Sequence, residues 1–297
     1  MKLANVLIVY TKSSTKEQKS TLDIVKNTLK KYKIDCKLAN RDRVKKVDFQ
    51  NKDLIIAVGG DGTFLRTAHF INNQLLFGVN SDIKNKEGFF MKSDKNNFEK
   101  KLIGVMKNRI KIKRLPRLEA YINNTKIDTL ALNEFFIGAQ KSYHAAKYII
   151  EVDGKPTKTK GFRGTSKIKD FAVQKIQKFS RTKNAKRFLV KERHKSSGIL
   201  ITTPAGSHAW AKSCCNSPLP LNSKNYQFVV REPYEGNVFK NYKLKYCVLR
   251  KNQKISIISE MLDGIVIADS VSKEYGFKNG SKATIGLSNN GLNVLWE

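Results

Sequence analysis

The chain has 297 residues, 40% of them apolar, enough for about two domains with real cores at ~100 to 200 residues each. Fifty-seven Lys and Arg stand against 25 Asp and Glu, and the formal net charge of +32 points either to an anionic partner (nucleic acid, an anionic membrane face or phosphorylated small molecules) or to a solvated Lys-rich surface with no partner of its own. The composition excludes a disordered tail protein, and no apolar run approaches the ~18 to 20 residues of a membrane-spanning helix.

A strand-like run, Asn5 to Tyr10, begins almost at once, so no signal or transit segment is expected and the expected compartment is the cytoplasm. Ser14 and Glu17 have capping-box spacing ahead of a Lys-rich helix that carries Leu22, Ile24, Val25 and Leu29 and ends near Lys33. A short strand follows at Cys36 to Ala39. Asp53 to Val58 reads as a compact apolar strand, Gly59-Gly60-Asp61-Gly62-Thr63 as a glycine-rich turn, and Phe64 to Ile71 as a helix start. Leu75 to Val79 gives another strand, and Asn97 to Arg109 has helical period through Phe98, Leu102, Val105 and Met106. This alternation predicts βαβ units and a mainly parallel sheet over residues 1–115.

After Pro116 the texture changes to short strands separated by turn residues, which predicts an all-β domain over residues 116–297. Its last segment is left open between staying there and returning to the N-terminal domain. Lys155 to Lys195 holds fifteen Lys or Arg against one Asp and one Glu and reads as an insertion at about 156–193, either a solvated excursion or a polyanion-binding arm. Its Ile168, Phe171, Ala172, Ile176 and Phe179 recur at helical spacing. Cys36, Cys214, Cys215 and Cys247 form no CxxC pair and read as reduced thiols. His69, His144, His194 and His208 lie far apart, so no protein-built metal site is expected.

Three motifs carry chemistry. Glycines where a strand feeds a helix let backbone amides approach a phosphate. Asp61 within that loop would repel the phosphate, so it either caps the helix or works as a proton acceptor or in placing Mg²⁺. Asn133 and Glu134 open an apolar strand, a poor place for two polar side chains unless they face a ligand or a turn. Gly206 to Ser213 falls one residue short of a Walker A loop, with Ala211 in place of its second glycine. Ala cannot cheaply supply the left-handed backbone, leaving a Thr-Pro-Ala-Gly-Ser turn before His208, Ala209, Trp210 and Ser213. Such a turn can hold a purine by stacking and hydrogen bonds; the alternative is a buried Trp at a helix start.

Together these pieces resemble the NAD kinase family: Gly59-Gly60-Asp61-Gly62-Thr63, Asn133-Glu134, Thr203-Pro204-Ala205-Gly206-Ser207-His208-Ala209-Trp210 and Leu262-Asp263-Gly264, in the family's order. Gly78-Val79-Asn80-Ser81-Asp82, Glu87-Gly88-Phe89 and Val230-Arg231-Glu232-Pro233 look like its mitochondrial and plant NADH-kinase branch. The resemblance implies a Rossmann-like N-terminal domain, a C-terminal β-sandwich, an active site between them, and transfer of the ATP γ-phosphoryl group to the adenosine ribose 2′-OH of NAD(H). It implies Asp61 as proton acceptor, Gly62 and Arg66 at dinucleotide contacts, Asn133 and Glu134 holding adenosine, and His208, Ala209, Trp210 and Ser213 around adenine. Gly60, Thr63, Asn80, Ser197 and Asp263 join the nucleotide contacts by position. It also implies Mg²⁺ arriving with ATP and a homodimer or homotetramer. Ser197 stands where many members carry Asp, Ala205 where Thr or Ser is usual, and His208 where Thr is usual. Polyphosphate would suit so basic a site as donor. Two other functions remain open at this point: a diacylglycerol-type lipid kinase sharing the glycine-rich loop, and a nucleic-acid-binding protein acting through the basic insertion.

Overall fold

The computed structural model describes residues 3–12, 14–153, 189–215, 217–271 and 273–296, and it splits into two compact units, Met1–Leu115 with Asn290–Glu297, and Pro116–Asn289. The first unit runs β1 (Asn5–Tyr10), α1 (Lys16–Lys31), β2 (Asp35–Asn40), β3 (Leu54–Gly59), α2 (Asp61–Ala68), β4 (Leu75–Asn80), β5 (Ser93–Asp94), α3 (Phe98–Met106) and β6 (Ile112–Leu115). Strands β2, β1, β3 and β4 pair in parallel in that order. Both β3 and β4 are buried at every position, which is why they read as unbroken apolar runs rather than alternating ones. Val25 and Leu29 of α1 and Phe98 and Leu102 of α3 pack against Ile56 and Phe77 of this sheet.

The cap of α1 sits one residue later than the Ser14–Glu17 spacing suggests. Thr15 is extended (φ −128°, ψ 157°), its hydroxyl accepts the Gln18 N–H, and Gln18 reaches back to accept the Ser14 N–H at 3.1 Å. Glu17 is thereby released to pair with Lys95 at 2.9 Å.

The second unit contains β7 (Leu118–Ile122), β8 (Thr125–Lys126), β9 (Glu134–Ala139), β10 (Ala146–Asp153), β11 (Leu189–Ser196), β12 (Ile199–Thr202), α4 (Trp210–Cys215), β13 (Tyr226–Val230), β14 (Tyr246–Leu249), β15 (Ile255–Ser259), β16 (Gly264–Ala268), β17 (Tyr275–Gly276) and β18 (Lys282–Leu287). They form two antiparallel six-stranded sheets, ordered β11-β10-β15-β18-β7-β8 and β14-β13-β12-β9-β16-β17. Tyr148, Ile150, Ile257 and Ile285 from one sheet meet Phe135, Ile137, Ile201 and Phe228 from the other in a single core, a β-sandwich. The outer face of the second sheet is covered by α4, whose Trp210, Ala211 and Cys215 pack with Phe136, Leu200 and Val229.

Strand β11 corrects the expected insertion boundary. Residues 189–196 pair with β10 in register, with Lys191 and Arg193 exposed while His194 and Ser196 are buried. The strand alternates, but so many of its outward positions are basic that composition concealed the period. The rest of the expected insertion, with its proposed helical spacing, lies outside the described residues.

The chain then leaves the second unit, and β19 (Leu292–Leu295) enters the first unit's sheet between β4 and β6, parallel to the former and antiparallel to the latter. Among the described residues, no helix is long and apolar enough to cross a membrane.

Candidate functional site

In the first unit the expected strand, glycine turn and helix are continuous: β3 ends at Gly59 and α2 starts at Asp61, earlier than the apolar pattern suggests. Gly59 is needed because a Cβ there would lie 2.4 Å from the Thr63 hydroxyl, and Thr63 is itself buried. Asp61 does not cap the helix. Gly60 occupies the cap position without any side-chain bond, and the half-buried Asp61 carboxylate instead accepts the backbone N–H groups of Phe89 at 2.9 Å and Phe90 at 2.8 Å, one on each oxygen. A carboxylate has about four lone-pair directions. Two are taken by the amides, so a ligand hydroxyl can still be met.

The segment that supplies those amides is braced from several sides. Phe90 stacks on Phe64 of α2 with centroids 4.9 Å apart, and Phe89 sets its edge against Trp296, just beyond β19. Gly88 takes φ +68°, and a Cβ there would come within 2.5 Å of the Asn80 amide nitrogen. Asn80 is buried and already engaged: its amide donates to the Lys86 carbonyl at 3.1 Å and its oxygen accepts the Asp82 N–H at 3.0 Å. The structure thus gives Asn80 the work of shaping the 80–90 loop. Arg66 lies on the surface and donates to Asp42 at 3.0 Å. Thr63 accepts from Arg41 at 3.3 Å.

In the second unit Asn133 and Glu134 stand at the start of β9, only 7% and 3% exposed. Asp269 fixes them. It sits just past β16 at φ +53°, a conformation few non-glycine residues take, and its carboxylate accepts the backbone N–H groups of Leu132, Asn133 and Glu134 at 2.9, 2.6 and 3.1 Å. Asn133 Oδ1 and Glu134 Oε2 are buried without a hydrogen-bond partner. Burial holds the Glu134 carboxyl well above the usual carboxylate range, and the Asp269 charge pushes it the same way. An unpaired amide oxygen next to a carboxylic acid offers one acceptor and one donor, a match for a hydroxyl pair or a base edge. Glu134, Thr202 and Gln227 are register partners across β9, β12 and β13, and Thr202 Oγ1 and Gln227 Nε2 are also buried without partners. Sequence reasoning missed Asp269, Thr202 and Gln227; a polar Gln inside the apolar run Tyr226 to Val230 was the available signal for the last.

The Thr-Pro-Ala-Gly-Ser turn packs directly onto this pair. Thr203 donates its N–H to the Asn133 carbonyl at 2.8 Å and its hydroxyl to the Leu132 carbonyl at 2.6 Å. Gly206 has no alternative, since a Cβ would sit 2.0 Å from the Asn133 oxygen. A 3-10 turn, Gly206–His208, leads through Ala209 into α4. His208 Nε2 lies 3.0 Å from the Leu219 carbonyl. Trp210 rests on Phe136, centroids 5.3 Å apart, with the Arg231 guanidinium 4.5 Å from its ring. Ser213 bonds back to the Trp210 carbonyl at 2.7 Å.

Ser197 and Asp263 stand apart from that cluster. The Asp263 carbonyl accepts the Gln140 N–H beside the Gly264–Ala139 pair, at the far end of β9, and Ser197 lies two residues before Ile199, the partner of Ile137 toward that same end. Five residues at ~3.4 Å each put that end about 17 Å from Glu134. There the Asp263 carboxylate lies 2.8 Å from His144 Nδ1.

No protein-family model matches the chain. A probable NADH kinase of Oryza sativa subsp. japonica is 24% identical over 90% of this chain and 78% of its own length. The NADH kinase of Arabidopsis thaliana is 23% identical over 97% of this chain and 86% of its own length. Among solved structures, an NAD kinase from Archaeoglobus fulgidus in complex with ATP superposes with a TM-score of 0.71 at 21% identity, covering 98% of this chain and 93% of that one. Yeast NADH kinase complexed with NADH gives 0.74 at 16% identity, covering 99% and 84%. The chain thus resembles NADH and NAD kinases along nearly its whole length and shares the fold of solved NAD kinases.

Proposed function

We infer that the protein is an NAD(H) kinase, transferring the γ-phosphoryl group of ATP to the 2′-OH of the adenosine ribose. The observation that carries the reading is the buried Asn133–Glu134 pair, whose unpaired oxygens are gripped in place through the Asp269 carboxylate. A polar pair held so firmly yet left unsatisfied costs stability unless a ligand completes it. The lipid-kinase alternative gains nothing from such a pair and has no support among the relatives.

In this reading Asp61 accepts the proton of the attacking hydroxyl, using the lone pairs that Phe89 and Phe90 leave unused. Gly60, Gly62, Thr63 and Arg66 serve the phosphates and dinucleotide, and Asn80 serves by shaping the loop. Asn133 and Glu134 hold the adenosine, with His208, Ala209, Trp210 and Ser213 along the adenine. Ser197 and Asp263, about 17 Å along β9, are assigned to the distant nicotinamide end. Mg²⁺ enters as part of the ATP substrate and screens the transferring charge. A cytoplasmic homodimer or homotetramer is proposed on the family resemblance, and the four unbridged cysteines fit a reducing compartment. A coupled assay for NADP(H) from ATP, Mg²⁺ and either NAD⁺ or NADH tests the reading. No product from either dinucleotide with any phosphate donor rejects it.

A further inference from the structure

Two cations from separate elements lean over the glycine-rich turn, and no residue role described above uses them. The Lys86 stem crosses Gly60 so closely that a Cβ there would lie 3.1 Å from its Cδ, and its ammonium donates to Ser81 Oγ at 2.7 Å. Ser81 is tied by its own N–H to the Gly59 carbonyl at 2.9 Å, so the ammonium is fixed to the end of β3. On the other side Arg41, just after β2, reaches Thr63 with one guanidinium nitrogen, and a Cβ on Gly62 would lie 4.0 Å from that same nitrogen. The glycines flanking Asp61 are thus bordered by the stem of a lysine whose ammonium is anchored on Ser81 and by an arginine guanidinium.

Neither charge is fully answered by the protein. An ammonium has three donors, and the one bond seen for Lys86 goes to a neutral hydroxyl. Arg41 has Asp42 at 3.5 Å from its Nε, but Asp42 is shared with Arg66 and lies closer to it. The Asp61 carboxylate, between the two cations in sequence, is turned to the amides of Phe89 and Phe90. Partial burial and the nearby Arg41 charge both pull Lys86 below the usual lysine range, with Asp82 opposing them. Two like charges held over one loop are a liability that a bound polyanion would relieve.

We propose that Lys86 and Arg41 form a cation clamp for the linked phosphates of the phosphoryl donor, seated over Gly60 and Gly62. This rests on the kinase reading. Two cations anchored at separate points of one loop, on Ser81 and on Thr63, match linked phosphates, which both ATP and inorganic polyphosphate present.

The test uses the full chain. Binding of inorganic tripolyphosphate is measured by calorimetry, without nucleotide or Mg²⁺, for wild type, Lys86→Met, Lys86→Arg and Arg41→Gln, with Lys84→Met as a control of equal charge loss on the same loop. Losing one charge-assisted contact should weaken binding roughly tenfold in Lys86→Met and Arg41→Gln, with Lys86→Arg restoring most of it and Lys84→Met unchanged. Equal weakening by Lys84→Met, or none by Lys86→Met and Arg41→Gln, overturns the clamp. In turnover, KM for the donor should rise about tenfold in Lys86→Met while KM for the dinucleotide stays within about twofold; equal rises in both refute it. Running the turnover arm with ATP and with polyphosphate shows which source of phosphates the clamp serves. Absence of product with both would remove the kinase reading, while calorimetry would still decide the clamp.

Discussion

Asp61→Asn tests the centre of the mechanism, and the structure changes what it should do. In the wild type both carboxylate oxygens are occupied, by the Phe89 and Phe90 amides at 2.9 and 2.8 Å. An Asn side chain keeps one acceptor and turns an N–H₂ toward the other amide, so one bond to a charged acceptor is lost and one donor is left facing a donor. At ~1.5 to 3 kcal/mol for such a bond, and with Asp61 half-buried, the cost should be about 2 kcal/mol. That corresponds to a Tm lower by roughly 4 to 8 °C. The chemical loss should be larger: without a proton acceptor kcat should fall ~10² to 10⁴-fold, while dinucleotide binding is largely kept. Because the same variant loosens the loop, a second perturbation is needed that loosens it without touching the carboxylate. Gly88→Ala does this, forcing a Cβ into φ +68° and to within 2.5 Å of the Asn80 amide. It should lower Tm at least as much as Asp61→Asn but reduce kcat by no more than about tenfold. If Asp61→Asn turns over within a few-fold of wild type, or if Gly88→Ala loses as much activity as Asp61→Asn, Asp61 is a loop anchor and the base lies elsewhere.

Glu134→Gln should reveal the raised carboxyl through the pH dependence of unfolding. The folded state holds the Glu134 proton above the pH at which the unfolded chain, near 4.5, has released it. Wild-type stability relative to the variant is therefore intact below pH 4.5 and falls by about 1.4 kcal/mol per pH unit as pH rises toward the folded value; parallel pH profiles would contradict the raised carboxyl. Asp269→Ala releases three backbone amides and should destabilise the second unit by several kcal/mol and raise KM for NAD(H) more than KM for ATP. Equal KM changes would assign Asp269 a general structural role. Trp210→Ala should raise KM for NAD(H) more than it lowers kcat, and unchanged Trp fluorescence on titrating NAD with normal binding by the variant would remove Trp210 from the pocket. A deletion carried from Lys155 to Lys195 should abolish folding, because it removes nearly all of β11 with the Arg193–Glu260 and His194–Glu192 pairs; a soluble, active product would show that β11 is dispensable.

What could be read from the sequence follows the range of the interactions involved. The strand, turn and helix around Asp61 are local, encoded within Leu54 to Ala68 by burial and glycine, and they were legible. The sandwich was legible as alternation, except in β11, where basic residues on the outward positions outweighed the buried ones in composition. The return of the last segment to the first unit was legible only as one of two open courses, because the four residues of β19 are too few to show a period and its partners Leu76 and Leu115 are more than 170 positions away. The site divides the same way. Asn133 and Glu134 announced themselves as polar residues at the mouth of an apolar strand, yet the group that fixes them, Asp269, acts from 135 to 137 residues away. Its left-handed φ leaves no mark in the sequence, since an Asp after a strand is an ordinary turn residue. Lys86 and Arg41 were invisible for a related reason. In a chain with 57 basic residues, two of them mean nothing until parallel pairing of β2, β1, β3 and β4 brings the end of β2 and the loop after β4 to the same turn. Residue type therefore nominated the groups proposed to meet substrate, while the groups that hold them, or that share their charge, were supplied by topology.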